Sequence, residues 1–127
     1  MPVRVEYEYA VVRLLPCVER EEFINVGVIL YCRKQRFVDF LFTINKEKLL
    51  SFNPELDVEQ IHGHLLSFSN IAKGNAQGGE IGKKEAAERF RWLTASRSTL
   101  IQSSPVHIGL TKDATGTLND LFQSLVL

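Results

Sequence analysis

Apolar residues recur at every second position at the start of the chain, at Val3, Val5, Tyr7, Tyr9 and Val11, with Arg4, Glu6 and Glu8 between them. A period of two places the two sets on opposite faces of a strand, so a strand is predicted from Val3 to Leu15. Beyond Ala10 the second face turns apolar as well, at Val12 and Leu14, which predicts a strand half exposed at its start and covered on both sides at its end. Pro16 is expected to end it. Pro16 to Glu22, with the charged cluster Glu19, Arg20, Glu21 and Glu22, reads as a solvated return loop. Asn25 to Cys32 is almost wholly apolar and β-rich, the pattern of a central strand covered on both faces. Gly27 interrupts it and marks a bulge or a close approach by another group. Arg33 to Arg36 is short and polar enough to be a hairpin into Phe37–Phe42, completing an antiparallel meander of three strands.

After Thr43 the period lengthens. Asn45 is placed to cap a short helix through Leu50, and Asn53-Pro54 reads as the start of a longer one. On that longer helix Val58, Ile61, Leu65, Phe68 and Ala72 step by three and four, one stripe able to lie across a sheet, and Lys73-Gly74 ends it. Residues 74–82 hold four glycines in nine positions and read as a flexible loop. A further helix is predicted from Lys83 to Leu93, with Ala86, Phe90 and Leu93 on one face. Short β character returns at Leu100–Gln102 and Val106–Ile108, where Pro105 between them implies an edge strand or an extended crossing. Asp113 is then placed to cap a final helix bearing Leu118, Leu121, Phe122 and Leu125. The fold class expected is α+β: an antiparallel sheet, a three-stranded meander plus a short fourth strand near Val106, with helices packed on one face.

The size, 127 residues and 14.4 kDa with 45% apolar residues, fits a single domain over residues 1–127 whose core needs no disulfide or metal staple. No apolar run reaches the ~18 residues that cross a bilayer, and the first residues lack a basic stretch before an apolar block, so a cytoplasmic protein without membrane contact is expected. Fifteen basic residues balance fifteen acidic ones, so a polyanion site has to be a local patch. Two cysteines, Cys17 and Cys32, suit a reducing compartment and build no four-ligand metal site. Cys32 falls in the central strand, and Cys17 reads either as a small semi-buried residue or as a loop nucleophile with His107 as its base. His62 and His64 stand two apart on a helix and point roughly 200° from each other, so they cannot share a metal. The glycine tract lacks the spacing, the Lys-Ser/Thr pair and the preceding strand of a phosphate loop. Neither a cofactor nor a metal is expected.

The stretch from Arg89 to Gly109 is the most suggestive, with three arginines, several hydroxyls, Trp92 and His107, and no acidic residue. Arginine forks and hydroxyls suit phosphate oxygens, and Trp92 can stack a base or anchor a protein partner. The alternative is structural: Trp92 in the core, the arginines paired with nearby glutamates and Ser-Pro a turn. Arg13 lies in phase with Tyr9 and Val11 on an apolar face, where its guanidinium needs a carboxylate such as Glu22 or the edge of a cleft. The candidate binding residues are therefore Arg13, Glu22, Arg91, Trp92, Arg97, Ser104 and His107. No catalytic residue stands out.

Three blocks, YEYAVVRLLP, EEFINVGVILYC and FRWLTASRSTLIQSSPVHIGL, together resemble a small bacterial family designated domain of unknown function 3037, over nearly the whole chain. Tyr9, Arg13, Glu22, Asn25, Gly27, Arg91, Trp92, Arg97, Ser98, Ser104, Pro105, His107 and Gly109 fall in the matching blocks. Ala95-Ser96-Arg97 departs from the Ala-Pro-Arg associated with that family. The resemblance implies no activity, but genes of the family often stand beside one for a HipA-like kinase, which implies a partner of that kind. Two functions are weighed. One is a non-enzymatic protein-binding module anchored by Trp92 and its neighbouring arginines. The other is a phosphate-handling enzyme or nucleic-acid-binding module using Arg13, Arg91, Arg97, Ser104 and His107. Convergence in one concave pocket favours the second, and a scattered or apolar-centred arrangement favours the first. The oligomeric state is not legible.

Overall fold

A computed structural model describes residues 3–17, 22–95 and 100–127. The meander is present: β1 (Val5–Cys17), β2 (Glu22–Cys32) and β3 (Phe37–Phe42) pair antiparallel in sequence order. Pro16 does not end β1, which runs on to Cys17. The β1–β2 register is irregular between Leu14 and Cys17, so the proline falls where no regular ladder bond asks for its missing N–H. Glu22, expected in the return loop, opens β2 opposite Cys17. Val12 faces Gly27 but Arg13 faces Asn25, which leaves Val26 as the extra residue of a bulge. A Cβ on Gly27 would stand 2.5 Å from the Phe40 ring and 2.7 Å from the Leu41 carbonyl oxygen, the close approach that the glycine signalled.

The second edge of β1 carries two short strands where one was expected near Val106. β5 (His107–Thr111) lies beside Val5–Tyr9 and β4 (Ile101–Ser103) beside Val12–Leu14, both antiparallel. Between them the ladder breaks at Pro105, and Ser104 spans the break. Its N–H donates to the Val11 carbonyl at 2.8 Å, while its Oγ accepts the Val11 N–H at 2.9 Å, so a hydroxyl replaces a missing strand carbonyl.

Helices cover both faces. Ala10, Val12, Leu14, Ile29, Tyr31 and Phe40 form one face, under α1 (Lys46–Phe52), α2 (Val58–Lys73) and α4 (Ala86–Thr94) through Leu49, Ile61, Leu65, Phe90 and Leu93. Val28, Leu30 and Cys32 point the other way, onto Ala114 and Leu118 of α5 (Ala114–Leu125). The expectation of helices on one face thus holds for the first helices and not for the last. The physical reason is β2 itself, which is apolar on both sides and leaves a bare face unless something covers each.

Asn45 caps α1 as expected, accepting the Lys48 N–H. Asn53-Pro54 is a turn that closes α1, and the long helix starts at Asp57, whose carboxylate accepts the Gln60 N–H. The glycine tract contains a 3-10 turn at Ala76–Gly78 and the short helix α3 (Gly79–Gly82). Ile81 packs on the core and Gly82 is buried. Among the described residues no helix is long and apolar enough to cross a membrane.

Candidate functional site

The candidate residues divide between the two faces of the sheet. Tyr9 belongs to the cluster under α5, and the His107 ring lies 5.2 Å from its ring. Arg13, four positions along the same strand, keeps that face. It stands opposite Asn25, whose Nδ2 donates to the Leu125 carbonyl of α5. Four residues of strand separate Arg13 from the level of His107 by about 13 Å. The Arg13 guanidinium lies 4.3 Å from the centre of the Phe23 ring, a cation–π contact.

Arg91 and Trp92 stand on the opposite face. Arg91 donates from both terminal nitrogens to both carboxylate oxygens of Glu8, at 3.0 and 3.2 Å, a bidentate pair that ties α4 to β1. Trp92 meets Phe68 of α2 edge-on, with ring centres 6.4 Å apart, and is 39% exposed, so it lines the seam between two helices and is half core. Ser104 is buried with its hydroxyl engaged by backbone, its Oγ also donating to the Pro105 carbonyl. Arg97 lies outside the described residues. Among the described members, therefore, no single pocket forms, and a phosphate would find the Arg91 fork already occupied.

The feature that sequence reasoning passed over lies on β5. Ile108 and Leu110 are 66% and 64% exposed. They oppose Glu8 and Glu6 of β1 and share their face, the one that α4 covers. But α4 sits over β2, its Phe90 ring 5.5 Å from that of Tyr31, and over the Glu8 end of β1 it is held by the Arg91–Glu8 pair. The sheet extends past its helical layer, and β5 is the uncovered rim. Beside it opens a cleft of about 740 Å³ whose charged lining is balanced, Glu6, Glu8 and Glu85 against Arg33, Lys34 and Arg91. The signal was present in the alternation Val106, Ile108, Leu110, which by itself does not tell a buried row from an exposed one.

On the reverse side of β5, the Tyr7 ring lies across Gly109. Its hydroxyl is only 2.6 Å from where a Cβ at position 109 would stand. An aromatic from the neighbouring strand thus covers the glycine that no side chain protects. Tyr7 and Tyr9 stack at 6.0 Å. Burial, with charge repulsion from Tyr9 adding, holds the Tyr7 phenol above the usual tyrosine value. Among the described residues β5 pairs with β1 alone, so its outer edge is unoccupied. No group of three or more His, Cys, Asp or Glu side chains suited to a metal gathers among them.

Compared with known proteins, the chain matches over residues 9–126 a family model described as Protein of unknown function (DUF3037). No curated protein and no solved structure matches it.

Proposed function

Because the chain belongs to the DUF3037 family, whose description assigns no activity, its chemistry has to be read from its surface, and we propose that it is a non-enzymatic binding module that takes an extended segment of a protein partner along β5. The observation that carries this reading is the adjacent exposure of Ile108 and Leu110 on a strand with no described neighbour on its outer side. An edge strand presents alternate N–H and C=O groups to any segment that can lie beside it, and pockets or ledges for alternate side chains then give specificity. Covering what is exposed of two such side chains contributes about 2–4 kcal/mol at ordinary transfer values. The separation of Arg13 and His107 from Arg91 and Trp92 across the sheet weighs in the same direction, against one phosphate pocket.

A HipA-like kinase, the partner implied by the family resemblance, is the first to test. Titrated into isotope-labelled protein, it should broaden the amide signals of Ile108 to Thr111 and of Glu6 to Tyr9. Ile108→Lys should weaken binding by tenfold or more, as loss of a buried apolar anchor costs more than ~1.4 kcal/mol. Arg13→Gln should leave it unchanged. Perturbation centred on Arg13 and His107, reproduced by inorganic phosphate, would replace this reading with the phosphate or nucleic-acid one.

A further inference from the structure

The five residues of β5 read nearly the same in both directions about their centre. Gly109 is flanked by the apolar pair Ile108 and Leu110, then by the polar pair His107 and Thr111. Resting on the reading of β5 as a docking edge, we propose that this edge is self-complementary and that a second copy of the chain occupies it, antiparallel, with Gly109 on the two-fold axis.

The register follows from that centre. Gly109 opposes Gly109 of the second copy, Ile108 opposes its Leu110, and Leu110 its Ile108. Directly opposed residues of an antiparallel pair share a face, so the four apolar side chains meet as one block on the side where each copy leaves them exposed. Glu6 and Glu8, opposite Leu110 and Ile108 on β1, bound that block at both ends. The same register sets His107 against Thr111 and Lys112 against Val106, so no like charges are opposed. No formally charged residue stands between Pro105 and Lys112 to discourage such pairing, the usual protection of an exposed edge.

The reverse face fits the same axis. The Tyr7 ring lies across Gly109, its hydroxyl 2.6 Å from where a Cβ would stand. Cβ positions of opposed residues lie about 4.5–5.5 Å apart, so this register brings the Tyr7 rings of the two copies close together on either side of the axis. A heterologous strand would need none of this symmetry, which is why a second copy is the occupant the pattern favours.

Light scattering on the full chain, over a rising concentration series, should show the mass moving from 14.4 kDa to twice that value. Leu110→Lys should hold it at the monomer mass at every concentration, with an unchanged far-ultraviolet spectrum. The register has its own test, independent of whether that variant folds. In a Cys17→Ser background, Ile108→Cys and Leu110→Cys proteins should cross-link with each other on oxidation more readily than either does with itself. A wild-type protein that stays monomeric throughout, or a dimer that shows no preference for the mixed cross-link, overturns the proposal. A monomer whose β5 amides still respond to the kinase would overturn the pairing alone and leave the docking reading in place. A β5 dimer that no protein partner perturbs supports the pairing and removes the docking reading.

Discussion

Ser104 shows how differently a residue reads before and after its surroundings are known. In sequence it is one hydroxyl among several in an arginine-rich stretch, a natural phosphate ligand. In the fold it is buried and supplies the acceptor that the broken ladder denies to Val11. Ser104→Ala should therefore leave the Val11 N–H unsatisfied and lower stability by ~1–3 kcal/mol, read from the midpoint of a urea transition at constant slope. Tyr7 gives a prediction in pH. Its raised phenol means that the folded chain holds the proton more tightly than the unfolded one. That contribution is fully present below the unfolded value of about 10 and is lost as pH rises through the folded-state value. Stability should thus fall on the alkaline side, and Tyr7→Phe should flatten the fall in a series of thermal melts. Gly27, by contrast, was legible: a glycine inside a wholly apolar strand signalled a close approach, which Phe40 and Leu41 make.

Among the elements, periodicity located every long helix and strand, because spacings of two and of three to four are imposed by backbone geometry alone. Element ends were less legible. The cap of α5 is the instructive case. Asp113 stands at the N-cap position but makes no side-chain capping bond, and the Ala114 N–H donates instead to Oε1 of Gln35 in the β2–β3 hairpin, whose Nε2 donates to the Lys112 carbonyl. A cap supplied from 79 residues away leaves no local mark. The face that α5 presents was legible, but its degree of burial was graded. Leu118 is fully buried, and Leu118→Ala should cost ~2–5 kcal/mol in a denaturant melt. Phe122 is only partly buried at the rim of that cluster, so Phe122→Ala should fall below the ~3–5 kcal/mol of a fully enclosed phenylalanine.

For the molecule as a whole, β2 is the shared wall of two cores, with Ile29 and Tyr31 in one and Val28, Leu30 and Cys32 in the other. Neither core keeps its floor if the other is lost, so we expect a single cooperative transition, with near- and far-ultraviolet signals coincident on heating. A separate early loss of near-ultraviolet signal would show that α5 detaches on its own. By itself the sequence determined the antiparallel meander, the helices and the fold class, since these depend on local period, turn chemistry and burial of apolar rows. It also carried, in the unbroken apolar run of β2, the demand that both faces be covered. Only the tertiary structure decided which helix meets that demand, that Arg13 and Arg91 stand on opposite sides of the sheet, and that the row containing Ile108 and Leu110 is bare. Those outcomes depend on how far the helical layer extends across the strands, a matter of packing between segments remote in the chain, to which a hydrophobic pattern is blind.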